Sequence, residues 1–256
     1  MTQAQEWITV GALGDAFAPD NHCLTQSRDL AGRTLQLHYE DGGTALLAID
    51  QLAQCSVTAP RPGIYFVDYL PQDAARAGVS LVINLEAGSF IELTGTLPTR
   101  EEAHTPLLQR ASQGKELTAV RLRTRRGTVG RPFADDAALP QPTTAMLGKR
   151  VEYIYSPHER YEHIYLNQRF YTWRCIDGAE KGLAETDACD YYAIAPDLYL
   201  FIWREKIIPT LGVIMVDLRA MKTTGKIMGY DGDDFDQVRN FGVGAHARVL
   251  ATIPWE

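Results

Sequence analysis

Leu30-Ala31-Gly32-Arg33-Thr34-Leu35-Gln36-Leu37-His38-Tyr39 returns in outline as Met146-Leu147-Gly148-Lys149-Arg150-Val151-Glu152-Tyr153-Ile154-Tyr155, at an offset of 116 (148 − 32). Leu35, Leu37 and Tyr39 alternate with polar neighbours, the period of a half-buried strand. Asp41-Gly42-Gly43 then offers a tight turn before Ala45 to Ile49 returns. Further on, Pro62, Tyr65, Gly78, Val79 and Gly95 answer to Pro196, Tyr199, Gly212, Val213 and Gly229, an offset of 134 (196 − 62). The second copy therefore carries 18 additional residues (134 − 116), placed around Cys175 to Ala193 and read as a loop rich in Gly, Asp and Glu. Self-similarity over this interval is the mark of a duplicated domain.

Each copy reads as a meander of short strands. In the first these are Tyr65 to Leu70, Val79 to Leu85 and Phe90 to Thr94, with Leu117 to Arg123 closing. In the second they are Val151 to Tyr155, Tyr161 to Leu166, Phe170 to Cys175, Leu198 to Trp203, Val213 to Leu218 and Thr223 to Met228, with Ala245 to Ile253 closing. Thr99-Arg100-Glu101-Glu102 is a capping box that opens one helical segment, divided at Pro106 and ended at Gly114. Pro132, Pro140 and Pro142 mark a linker, giving domains at 1–131 and 144–256 joined by 132–143. The expected fold is mainly all-β: two tandem lipocalin-like (calycin) antiparallel β-barrels with one short helical segment.

Composition narrows the function classes. Hydrophobic residues are 45% and charged residues 22% of 256, as in ordinary globular proteins. A net charge of −7 argues against a general nucleic-acid binder. Arg121, Arg123, Arg125, Arg126 and Arg131, around Gly127 and Gly130, read as the solvated face of a hairpin rather than an anion site. Met1 to Val10 lacks a signal-peptide pattern and no apolar run approaches the ~18–20 residues of a span, so no membrane partner is expected. Cys23, Cys55, Cys175 and Cys189 have no C-x-x-C spacing and read as reduced packing thiols of a cytoplasmic protein. A monomer or homodimer is expected, since paired barrels in one chain can replace a dimer of single ones.

Trp7-Ile-Thr-Val-Gly11-Ala-Leu-Gly-Asp15-Ala-Phe17-Ala-Pro19-Asp-Asn21, followed by Asp29-Leu-Ala-Gly32-Arg33, resembles the start of the MoaF family. That resemblance implies related N- and C-terminal calycin domains over essentially the whole chain, and the family name points to molybdenum cofactor biosynthesis. The second half also resembles the phenolic acid decarboxylases, single calycin barrels that work without a cofactor. Gly148 with Tyr153 and Tyr155, then Tyr161-Glu162 and Tyr165, then Trp203-Arg204-Glu205 after Leu198-Tyr199, carry the likeness. It implies chemical roles for Tyr153, Tyr155 and Glu205. The arginine of that family is absent: Gly182-Leu183 stands there, with Lys181 and Arg174 the nearest cations.

The residues themselves converge on the same place. Alternation from Leu198 sends Tyr199, Phe201, Trp203 and Glu205 to one face, and the aromatic row marks it as interior. A carboxyl at the wall of an apolar cavity is desolvated and its pKa rises, which suits a general acid near neutral pH. Tyr153 and Tyr155 share a face and can donate hydrogen bonds to a phenolate or enolate oxygen. Tyr199, Phe201, Trp203, Tyr165, Arg174 and His163 complete the substrate-binding candidates. The first copy has Leu37 for Tyr153 (153 − 116) and Pro71 for Glu205 (205 − 134), so it is expected to be structural. His158 and His163, with Glu159 and Glu162 between them, read as a solvated hairpin without zinc spacing, His163 alone within reach of a pocket. Asp231-Gly-Asp-Asp-Phe-Asp236 lacks the pattern of a calcium loop and reads as a turn. No metal and no cofactor is expected. The resulting expectation is an acid–base enzyme for a small aromatic or conjugated substrate, of lyase, isomerase or decarboxylase type. The alternative is a non-catalytic carrier or sensor of a small hydrophobic molecule, and position of Glu205 separates the two.

Overall fold

A computed structural model describes residues 7–232 and 234–254. The chain opens with α1 (Val10–Phe17) and then runs through β1 (Thr34–Tyr39), β2 (Thr44–Ala48), β3 (Ser56–Arg61), β4 (Ile64–Tyr69), β5 (Ala77–Asn84) and β6 (Ser89–Thr96). Two short helices, α2 (Arg100–Ala103) and α3 (Leu107–Ser112), lead to β7 (Arg121–Val129). The second copy comprises β8 (Gln141–Pro142), β9 (Lys149–Ile154), β10 (Arg160–Tyr165), β11 (Phe170–Asp177), β12 (Ala184–Ala195), β13 (Leu198–Arg204), β14 (Leu211–Asp217), β15 (Lys222–Asp231), β16 (Asp234–Val243) and β17 (His246–Thr252).

The fold is mainly all-β and tandem, as the repeat predicts. The first copy is a curled seven-stranded sheet in the order β2-β1-β7-β6-β5-β4-β3. The second sheet has ten strands: β8 pairs with β12 and β16 with β15, seven keep the corresponding order, and one more, β11, pairs with both β10 and β12 and, with β17 on β9, closes an eight-stranded barrel. The 18 residues account for that difference. Thr44 on β2 answers to Arg160 on β10, and Ser56 on β3 to Asp190 on β12. Segment 49–55 in the first copy thus stands against 165–189 in the second, which supplies β11 and the first half of β12. The insertion is therefore no loop; Ala184–Ala195 is a strand whose inward positions include Glu185 and Asp187. Acidic residues at those positions hide the apolar alternation.

The second offset also needs a correction. Ile64 pairs with Asn84 and Leu198 with Asp217, so the offset is 134 on β4 (198 − 64) but 133 on β5 (217 − 84). The turn at 205–210 is one residue shorter than that at 70–76. A slip of one exchanges the two faces of a strand, and the matched glycines Gly78 and Gly212 accordingly face different cores.

Three cores result. Tyr65, Val67 and Leu81 lie inside the first sheet, and Tyr153, Phe201 and Trp203 inside the closed barrel. Ile64, Phe66, Leu200, Ile202 and Met215 fill the space between the copies. Strand β13 is buried on both faces, which explains its nearly unbroken apolar run. Across this middle layer the Lys226 ammonium lies 3.4 Å from Asp68 Oδ1, and Arg61 Nε lies 2.7 Å from Asp217 Oδ2.

Local signals are met in part. Thr99 and Glu102 form both bonds of the capping box, and the helical segment is broken into α2 and α3 at Pro106. The first copy closes through Arg121–Val129, later than the expected Leu117 to Arg123. Arg121 and Arg123 are exposed, whereas Arg125 and Arg126 are half-buried on opposite faces of the strand, Arg125 over the Tyr39 ring and paired with Asp41, Arg126 paired with Glu40. The expected linker contributes β8 as an edge strand on β12. All four cysteines are free. Asp231 and Asp234 bound the turn between β15 and β16, and Asp233 lies outside the described residues, as do Met1 to Glu6. No helix among the described residues is long and apolar enough to cross a membrane.

Candidate functional site

The closed barrel is lined by alternate residues of its strands. Tyr153 from β9, Tyr161, His163 and Tyr165 from β10, Tyr171 and Trp173 from β11, Tyr191 from β12, and Phe201 and Trp203 from β13 form one continuous aromatic interior. The Tyr153 and Tyr165 hydroxyls are 2.5 Å apart and share one hydrogen bond, one donating to the other. Burial holds both phenols well above their usual range. His163, expected at a solvated hairpin, is 3% exposed and ringed by Tyr153 and Tyr171, with centroids at 4.7 and 5.1 Å. Only the tip at His158 is solvated. His163 Nδ1 has no hydrogen-bond partner, and burial pushes the imidazole down from 6.5 to about 3.

Where β13 ends, the interior turns acidic. Glu205 lines a small cavity of about 30 Å³ with Tyr155, Tyr161, His163, Trp203 and Glu180. Its Oε1 accepts a hydrogen bond from Trp203 Nε1 at 2.8 Å. Burial drives its carboxyl well above the ordinary range, reinforced by the charges of Asp187, Glu180 and Glu185. Glu180 Oε2 accepts from the Tyr161 hydroxyl at 3.0 Å, and burial raises this carboxyl to about 7. Asp187 accepts from Trp173 Nε1 at 3.1 Å, and Lys206 bridges Glu185 and Asp187 at 2.7 and 3.3 Å. Glu180, Glu185 and Asp187 were not expected from the sequence; all three lie in the inserted segment.

The cavity is covered by the other end of the chain. Helix α1, capped by the Thr9 side chain, lies on β15 and β16 and turns Leu13 and Phe17 into the barrel mouth. The Phe17 ring sits 4.7 Å from that of Tyr155 and 5.6 Å from that of Tyr161. Such close approach requires glycine: a Cβ on Gly14 would stand 2.9 Å from the Phe241 ring, and one on Gly11 would overlap Asp231. Past the helix, the His22 amide donates to the Tyr155 carbonyl at 2.9 Å, so the strap is stitched to β9's end.

Of the residues expected at the site, Glu205, Tyr155, Trp203 and His163 meet at the cavity. Tyr153, Tyr165 and Phe201 form the aromatic layer next to it, and Tyr199 is half-buried against the barrel core. Arg174 is not part of the site. It alternates with the inward Trp173 and Cys175, lies on the outer surface and pairs with Glu162, which Arg150 also contacts. Neither a lysine nor an arginine is among the described residues lining the cavity.

A closed, aromatic-lined antiparallel barrel is a calycin-type architecture, here with a carboxyl at one end. The model for the MoaF N-terminal domain matches residues 5–99 and that for the MoaF C-terminal domain matches residues 140–253. Protein MoaF of Klebsiella aerogenes is 44% identical over 259 aligned positions, covering 98% of this chain and 97% of that protein. The chain belongs to the MoaF family. A crystal structure of a candidate β-lactamase from Burkholderia vietnamiensis overlaps 43% of this chain and 100% of its own, with TM-score 0.37 and 17% identity, a likeness too slight to carry inference.

Proposed function

We propose that the second barrel is a reaction chamber for a small aromatic or conjugated molecule, worked by acid–base chemistry without a cofactor. The observation that supports this best is Glu205: a carboxyl that burial raises well above its ordinary range, on the wall of an aromatic enclosure that it shares with the Tyr155 phenol. A carboxyl whose pKa is raised in this way, with no cation among the described residues lining its cavity, can serve as a proton donor. Aromatic walls favour a flat ligand through stacking and edge contacts. The existing cavity holds little more than a water molecule, so a ligand enters by displacing α1 with Leu13 and Phe17.

The test uses the tryptophans that line the chamber. Titration of the full chain with monocyclic phenols and enones, followed by Trp fluorescence, should give saturable quenching. Product analysis of the compounds that bind then separates enzyme from carrier. Glu205→Gln should keep binding and lower turnover by about 10²–10⁴-fold, the usual weight of a general acid. Binding without conversion of any bound compound would instead make the chamber a carrier's pocket.

A further inference from the structure

Three features of the cavity remain after Glu205 is given the acid's part. Glu180 lines it, 8% exposed, with its Oε2 held by the Tyr161 hydroxyl. The turn that carries Glu180 is itself fixed, because the Ala179 amide donates to Glu159 Oε1 at 3.0 Å and the Leu183 amide to the Glu180 carbonyl at 2.9 Å. His163, on the same wall, offers an unpartnered Nδ1. A buried polar atom without a partner is destabilising, and a ligand bearing a polar group relieves it. No cation is among the described residues lining the wall, so two carboxyls face a would-be substrate and disfavour an anionic one.

We propose that Glu180 is a second catalytic carboxyl, acting with Glu205 to shift a proton between carbon and oxygen of a neutral hydroxy- or oxo-aromatic substrate. This rests on reading the chamber as a reaction site. The Glu180 carboxylate removes a proton from the carbon next to a carbonyl while the Glu205 acid protonates the carbonyl oxygen. The C–H electron pair becomes the C=C bond of an enol, leaving Glu180 protonated and Glu205 ionised. Return of the oxygen proton to Glu205 and delivery of a proton from Glu180 to carbon restores both groups, with no atom gained or lost. His163 Nδ1, neutral and an acceptor or donor by tautomer, positions the second oxygen of the ligand. Decarboxylation, by contrast, would bring a carboxylate to a wall without a cation.

The charges around Glu180 set its pH response. Tyr161 on β10 and Glu159 before it act on Glu180, whose charge in turn raises Cys175 on β11, Glu185 on β12 and Glu205 after β13; Tyr155, His163 and Tyr171 also face the cavity, and α1 adds only Leu13 and Phe17. Glu180 becomes ionised through about 7, and burial holds Glu205 well above the ordinary carboxylate range, so activity should climb through neutral pH.

Exchange of the carbon-bound protons of para-hydroxyphenylacetone in heavy water, followed by proton NMR with the full chain, tests the proposal. Wild type should accelerate exchange over buffer, with an acidic limb near pH 7. Glu180→Gln and Glu205→Gln should each slow it by about 10²–10⁴-fold while both still quench on binding. Tyr161→Phe keeps the carboxyl but removes the bond that stabilises its charge, so the limb should move to higher pH. Glu180→Gln exchanging at the wild-type rate while Glu205→Gln is dead would overturn the role of Glu180 and leave the chamber intact. No acceleration by wild type would overturn both.

Discussion

Glu205 takes its acid character from the point where β13 runs out: two residues beyond Trp203 it still faces the aromatic interior, and Trp203 Nε1 anchors it there. A carboxyl held above its unfolded value of about 4.3 binds its proton in the folded state after the unfolded chain has lost it. Folding stability therefore falls as pH rises from that value toward the folded pKa, and the cost persists above it. Glu205→Gln should be more stable than wild type at pH 7 and indistinguishable from it at pH 3–4, by urea denaturation at the two pH values. His163 acts with the opposite sense. Its imidazole titrates at about 3 in the fold against 6.5, so stability is lost as pH falls through that window, and His163→Phe should flatten this acid limb. The period-two row Tyr199, Phe201, Trp203, Glu205 made this half of the site legible. Glu180, Glu185 and Asp187 were not legible because carboxylates at inward strand positions look, in sequence, like a solvated loop. Arg174 misled for the converse reason: proximity along the chain says nothing about which face a strand residue takes.

At the scale of elements, α1 is the component that sequence reading missed. Gly11 and Gly14 depress helix propensity, yet they are what lets the helix lie against Asp231 and Phe241. Propensity here yields to tertiary contact. The capping box at Thr99 was legible because its signal is purely local. Thr9 accepts from the Ala12 amide at 3.2 Å as the N-cap of α1, and Thr9→Ala should cost about 0.5–2 kcal/mol of helix stability. If α1 gates the chamber, that variant should admit phenols faster in stopped-flow quenching while leaving equilibrium affinity equal or higher. Gly14→Val, which forces the helix off Phe241, should do the same more strongly. Unchanged entry rates in both variants would mean that ligands use another path.

For the whole molecule, duplication has produced two copies with different work. The inserted 18 residues complete one barrel and bring its acidic groups, while the first copy remains a curled sheet whose outer face packs on the second. The repeat was readable because turn residues persist between copies; the slip from 134 to 133 was not, because one missing turn residue leaves glycine and valine matches that look sound. The buried pair Asp68–Lys226 joins the copies, with Ser80 and Asn240 also donating to Asp68 at 2.7 and 2.5 Å. Asp68→Asn strands the ammonium and should cost about 3–5 kcal/mol, whereas replacing both members with apolar residues should recover much of it. Denaturant titration of the single and double variants reads this out. The acid–base reading of the chamber depends on one group holding its proton, and infrared spectroscopy with isotope-labelled glutamate observes it directly. At pH 7 Glu180 and Glu185, at about 7, contribute to the carbonyl stretch of protonated carboxyls, and Glu205→Gln should remove a further component that belongs to Glu205. A protonated-carboxyl band that Glu205→Gln leaves unchanged, with one carboxylate lost instead, would contradict the account.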